Sequence, residues 1–334
     1  MKHNVRLVAL AILGIALIAA ALSIAGANPI EALQTVIERA LLRPAGIREI
    51  LKGATPLILL GVSVTIALRA GLFNIGADGQ FVIGALCGSI AALKIPGPGG
   101  IAAAIVAGCL GGALWAYPVG WIKAARGGHE VISSIMLNSI AGFLTTYLIA
   151  NWLKDPTSQQ TTTAYIDQAS QIPYFFNQNG LRISPTIFIA LVVPVGLWWY
   201  LKRTVGGFEL NATGKNANVA RFAGIKTNSV ILRSMVISGA VAGFAGALQV
   251  IAFEHRFYSG FSPGYGFDAL GVSLLSGSNP LALLLSGSLF SIIAESTSVL
   301  SRVNIPKDLS YILLGILVIV FAAIRYRKEA DQHV

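Results

Sequence analysis

Asp78, Glu130, Asp268 and Glu295 are carboxylates that lie in or beside long apolar segments, and Asn74, Gln80 and Asn138 are amides in similar surroundings. A charge or amide at membrane depth is costly unless it finds a partner, so such groups mark solute or proton routes. A proton relay would want a dense chain of acids and histidines, and none is present. Most of the four acids sit near the ends of apolar runs, where water reaches them. The polar groups of a passing solute can partner such side chains. Asn74, Asp78, Gln80, Glu130, Asn138 and Asp268 are therefore the candidates for a translocation route, and bonds to neighbouring helices are the alternative use. His129 reads as a surface histidine at a helix start. No catalytic or metal-ligating constellation stands out. Gly214-Lys215 is not a nucleotide loop, because Glu209 stands where the earlier glycine belongs and Asn216 replaces the Ser or Thr.

The stretch Gly206 to Lys226, GGFELNATGKNANVARFAGIK, is the longest basic, polar interruption with a helical core. Asn216 is placed to accept a bond from a free N–H at a helix start. Val219, Phe222 and Ala223 fall at i, i+3 and i+4, one small apolar face. Gly224 stands where a left-handed residue closes a helix. Two turns are marginal alone in water, so this helix needs something to pack against. An ordinary surface helix and a docking element for a soluble partner both fit.

These residues must be positioned by elements that cross a bilayer. Of 334 residues, 55% are hydrophobic and 11% charged, well below the roughly 25% charged residues of soluble domains; mean hydropathy is +0.72. The apolar runs have the length of membrane helices, not of barrel strands. The expected class is all-α, a polytopic membrane protein of about ten transmembrane helices, some short or broken. The net charge of +10 comes largely from Lys and Arg at the ends of apolar runs, the positive-inside pattern, and does not suggest nucleic-acid binding. Cys87 and Cys109 lie inside apolar spans and read as small core residues.

In chain order, Lys2 and Arg6 precede a first span, Leu7 to Ala25, longer than a signal-peptide core. Pro29 to about Leu42 carries Ile30, Leu33, Ile37 and Leu41 at helical spacing and reads as an amphipathic helix on the outer surface. A second span runs from about Ile50 to Leu68. GLFNIGADGQFVIGA, Gly71 to Ala85, then places four glycines and three polar residues between apolar runs. With the run to Leu93 it reads as a short or broken span; a tight cytoplasmic turn is the alternative. Further spans cover Ile101 to Ile122, Val131 to Trp152, Pro185 to Lys202-Arg203 and Ser229 to Ile251. Gly239 and Gly243 form a small-xxx-small pattern for close helix packing. Phe257 to Pro280 again joins a Gly-rich turn to a short apolar run with one acid, Asp268. That weak internal repeat is common in transporters, whose broken segments lie near the solute route. Leu281 to Leu300 and Leu309 to Ile324 complete ten crossings, which return both termini to the cytoplasmic side. Arg39, Arg43 and Arg48 run against that charge rule.

Three stretches together, GLFNIGADGQFVIGA at 71–85, GGHEVISSIMLNSIAG at 127–142 and GKNANVARFAGI at 214–225, resemble the permease subunits of bacterial ABC importers of the ribose and simple-sugar family, most closely the nucleoside-type branch. The resemblance covers nearly the whole chain. It implies a single permease domain over 1–334, in the bacterial inner membrane, with a cytoplasmic coupling loop at 204–228. Gly214, Asn216, Ala220, Arg221, Phe222, Gly224 and Ile225 would then belong to the helix that docks on a separate ATPase subunit. ATP and Mg would be bound by that ATPase chain and no cofactor by this one. The implied partners are the ATPase, a second permease subunit that is a different chain, and an extracytoplasmic substrate-binding protein. Nucleosides are the implied solute and simple sugars the alternative. An ion-gradient-driven secondary transporter is the reading from another class.

Overall fold

The structure is a computed structural model that describes Ser23, residues 28–302 and Gly315. The expected first and last spans, Leu7–Ala25 and Leu309–Ile324, lie outside the described residues except for Ser23 and Gly315. The helices are α1 (Pro29–Val36), α2 (Pro44–Arg69), α3 (Ala77–Lys94), α4 (Pro98–Arg126), α5 (Glu130–Leu148), α6 (Thr186–Arg203), α7 (Val205–Lys215), α8 (Ala217–Phe222), α9 (Thr227–Gln249), α10 (Tyr265–Ser276) and α11 (Leu283–Ser301). α2, α4, α6, α9 and α11, with α5 extended to Leu153, are long and apolar enough to cross a membrane. α3 and α10 are the expected short or broken segments. The protein is therefore an all-α polytopic membrane protein.

The residues fall into two compact units. The smaller is Met1–Gly53, Asn177–Arg182 and Ser288–Val334. In it Asn28 caps α1 by accepting from the Ile30 N–H at 3.0 Å. α1 continues in wider turns over Ile37–Leu42, and Ile30, Leu33, Ile37 and Leu41 are exposed. An exposed apolar stripe is what the amphipathic reading requires. Ser291 on α11 donates to the Ile50 carbonyl at 2.6 Å.

The larger unit is Ala54–Phe176 and Ile183–Gly287. Its centre is α3, α4 and α9, packed backbone to backbone. A methyl group on Gly243 would collide with the Gly108 carbonyl and with Gly112, and one on Gly84 would collide with Gly243 itself. The Gly239–Gly243 pattern thus does what its spacing suggests. Helices that have no hydrophobic drive to associate in lipid gain by close van der Waals contact, and small residues allow it. The outer helices are the opposite. Leu110 and Leu114 on α4, Ile132, Met136 and Phe143 on α5, and Val192 and Trp199 on α6 are exposed. An apolar surface of this extent is stable against acyl chains and not against water.

Lys154 to Ser184, the long polar stretch, is mostly irregular. It is zipped to the chain after α9: Thr163 N–H donates to the Phe257 carbonyl at 2.9 Å and Ile166 N–H to that of His255 at 2.8 Å. A two-stranded ribbon, β1 (Phe176–Gln178) with β2 (Leu181–Ile183), ends it.

The backbone packing should be intolerant and the lipid face tolerant. Gly243→Val is expected to cost about 3 kcal/mol or more, beyond the usual over-packing range, because backbone must move. Gly142→Ala, with open space where the methyl would go, should be neutral or gain up to about 1 kcal/mol. Thermal unfolding of both in detergent checks the contrast.

Candidate functional site

α3 and α10 begin inside the unit, and their N-termini meet. Gly266, in the first turn of α10, lies so close to the Asp78 backbone that any side chain there would overlap it. Asp78 sits in the first turn of α3. Its Oδ1 accepts from the Ser262 hydroxyl at 2.7 Å and from the Gly266 N–H at 2.9 Å. One carboxylate thus satisfies an orphan N–H of the other helix and sits where both dipoles favour negative charge. Asp268 follows in the first turn of α10, half-buried, with Asp78 as a neighbouring like charge. Phe257 and Phe261 stack at 4.8 Å beside this junction, and Phe81 meets the Tyr265 ring edge-on at 5.9 Å.

The loop between α2 and α3 is held by amides. Asn74 is fully buried. Its Nδ2 donates to Gln80 Oε1 at 2.8 Å and to Ser238 Oγ at 2.7 Å, and Gln80 Nε2 returns a bond to Asn74 Oδ1 at 3.1 Å. The Ser238 and Ser63 hydroxyls each donate to the other's carbonyl at 2.7 Å, tying α9 to α2. From α5, Asn138 Oδ1 accepts from the Gly79 N–H and Nδ2 donates to the Ile75 carbonyl, both at 2.9 Å. Irregular backbone at this depth persists only with such partners. Glu130 pairs instead with Lys123 at 2.8 Å, joining the end of α4 to the start of α5. Asn74, Asp78, Gln80 and Asn138 are thus brought together with Asp268 around one junction, and Glu130 stands apart at the start of α5.

The second candidate region holds two helices rather than one. α7 is capped by Thr204, whose Oγ1 accepts from the Gly207 N–H at 3.0 Å. Two glycines and weak apolar periodicity hide it in the sequence. Asn216 separates α7 from α8, and its Oδ1 accepts from the Asn218 and Val219 N–H groups at 3.0 and 3.1 Å. At the other end Gly224 has φ +86°. The N–H of Ile225 bonds back to the Ala220 carbonyl and that of Gly224 to Arg221, both at 3.0 Å, a Schellman closure. The seven expected residues therefore sort by role. Asn216, Gly224 and Ile225 cap α8, Ala220 is buried, and Gly214 is pressed onto Arg69 and Gly71. Arg221 and Phe222 face outward, Phe222 being 94% exposed, with Val219 beside it. Val205 and Phe208 on α7 are exposed too, an extension that composition did not reveal.

Broken helices meeting inside a bundle, with a well-capped helix left open outside it, suit a membrane permease. Residues 46–322 match the family described as branched-chain amino acid transport system / permease component. The chain belongs to that family and is a transport component. The guanosine ABC transporter permease protein of Bacillus subtilis is 33% identical over 281 residues, 82% of this chain and 80% of the relative. The nucleoside ABC transporter permease protein NupB of Lactococcus lactis is 29% identical over 314 residues, 91% and 86% of the two chains. The glucose ABC transporter permease protein of Haloferax volcanii is 29% identical over 334 residues, 97% and 87%.

Removing the Asn138 side chain takes the partner from two backbone groups, the Gly79 N–H, which is buried, and the Ile75 carbonyl, which is half-buried. Asn138→Ala is expected to cost about 1–3 kcal/mol for each group that water does not reach, read as a fall in the unfolding temperature in detergent.

Proposed function

We propose that this chain is the transmembrane subunit of an ATP-driven importer for nucleosides, coupled to a separate ATPase through α8. The observation that carries the coupling is Phe222. A two-turn helix is tightly capped at both ends yet presents a bare aromatic ring and Val219 to solvent. Capping fixes the helix, and an apolar knob on a rigid base is the anchor of a helix-in-groove contact. ATP and Mg belong to the ATPase chain, and this chain carries no catalysis of its own. A second, different permease chain, a substrate-binding protein on the outer side and the bacterial inner membrane complete the setting, with both termini cytoplasmic. That placement puts the basic ends of α2, α4 and α6, with Arg69, Lys123, Arg126, Lys202 and Arg203, and α7–α8 on the cytoplasmic side.

The junction of α3 and α10 is the proposed gate of the route. Asp78 holds the two N-termini together, Asn74, Gln80 and Asn138 hold the loop below, and Asp268 is the carboxylate nearest to a passing solute. Glu130 braces the cytoplasmic rim through Lys123. Resemblance to guanosine and nucleoside permeases supports nucleosides as the cargo. The glucose permease relative, matched over nearly the whole chain, supports a simple sugar as the second reading.

Phe222→Glu should leave the chain inserted while uptake of labelled guanosine by cells falls to background, because a carboxylate is desolvated where a ring docked. Wild-type uptake in that variant would refute the docking role. Competition by unlabelled glucose, with none by other nucleosides, would move the cargo to the second reading. For the gate, Asp268→Asn with normal expression should lower uptake several-fold; full uptake in that variant removes Asp268 from the route.

A further inference from the structure

The docking helix and the gate junction are separate features, and one corner of the chain contacts the segments that lead to each: the end of α7 and the chain flanking α3 and α10. α2 ends at Arg69 and turns at Gly71, φ +78°. Gly214, near the end of α7, lies against this corner with no side chain between. A methyl on Gly214 would strike the Arg69 carbonyl and sit 2.9 Å from the Gly71 nitrogen, and one on Gly71 would sit 3.2 Å from the Gly214 Cα. The same corner reaches both broken helices. Towards α3, the Leu72 N–H is tied back to the Ala67 carbonyl at 2.9 Å, and Asn74 two residues on is locked to Gln80 and Ser238. Towards α10, Arg69 Nε donates to the Ser278 carbonyl at 2.9 Å. One turn deeper, Thr65 and Ser273 share a hydroxyl–hydroxyl bond of 2.6 Å.

A long side chain at such a contact would absorb a small displacement by changing rotamer. Backbone against backbone has no such slack, and packed interiors transmit strain. A shift of α7–α8 would therefore be handed to residues 69–71 and on to the two half-helices.

We propose that the contact of Gly214 with Arg69–Gly71 is the joint through which movement of the ATPase-docking helices reaches the half-helix junction at Asp78 and Gly266. This rests on the reading of α8 as an ATPase dock. Gly214 and Arg69 are positioning residues: they act through α3 and α10 and touch no solute.

The test uses the full complex, reconstituted with ATP inside vesicles, and reads labelled guanosine or glucose moved per ATP hydrolysed. A merely structural defect lowers both quantities together and leaves their ratio alone. Gly214→Ala should retain the ATPase subunit and continue to hydrolyse ATP while the ratio falls about fivefold or more, the range of an allosteric coupling. Arg69→Gln, which loses the charge on the tether to α10, should lower it in the same direction. Gly196→Ala, with open space at its Cα, is the matched control. Unchanged ratios in both variants overturn the joint while the docking reading stands. If Gly214→Ala does not accumulate, the ratio in Arg69→Gln decides alone. A wild-type chain that retains no ATPase subunit overturns the docking reading and the joint with it.

Discussion

A helix interrupted inside a membrane frees backbone groups that no water is there to satisfy. Most of this structure follows from how α3 and α10 meet that demand. Asn138 takes one N–H and one carbonyl of the loop and first turn around Ile75–Gly79. Asn74 and Gln80 close on each other and on Ser238. Asp78 reaches across to the first turn of α10. Each partner comes from a different helix, so α5, α9 and α10 are fixed relative to α3 by hydrogen bonds of defined direction. Apolar packing alone would let them slide.

Around that polar centre the remaining forces divide cleanly. α3, α4 and α9 approach through glycines until backbones touch, which gives the bundle a stiff interior. α4, α5 and α6 turn large apolar side chains outward, which commits them to lipid. The stiff interior suits a machine that must hand a small movement from one end to the other. A loosely packed core would dissipate that movement in side-chain rearrangement. α7 and α8 stand at the basic end of the bundle, with Gly214 turned inward and Phe222 turned outward. One short segment thus leaves an apolar side exposed and presses its other side onto the corner at Arg69–Gly71.

Much of this was legible in the residues. Hydropathy and length marked the long helices, and glycine-rich interruptions marked α3 and α10 as the broken ones. The cap at Asn216 and the closure at Gly224 were readable because a side-chain acceptor and a left-handed residue act locally, on the next few residues. What sequence could not supply was partnership at a distance. Asn74 reads equally well as a group lining a route or as half of an amide pair, and only the fold places Gln80 and Ser238 within 3 Å of it. α7 leaves little trace in the sequence because Gly206 and Gly207 are poor helix formers. Its first turn is set by the Thr204 cap and by Gly207 packing on the Tyr200 carbonyl. The meeting of Asp78 with Gly266, 188 positions apart, had no local signal beyond the likeness of the two glycine-rich stretches.

The proposed function requires this chain to move a solute only as part of an ATP-driven assembly. The most direct measurement is affinity purification from its native membrane in mild detergent, with mass spectrometry of what accompanies it. An ATPase subunit and a second permease are expected in near-equal amounts, with a substrate-binding protein recoverable by cross-linking. A chain that came out alone and stable, and that drove uptake from an ion gradient when reconstituted without ATP, would contradict the proposed function.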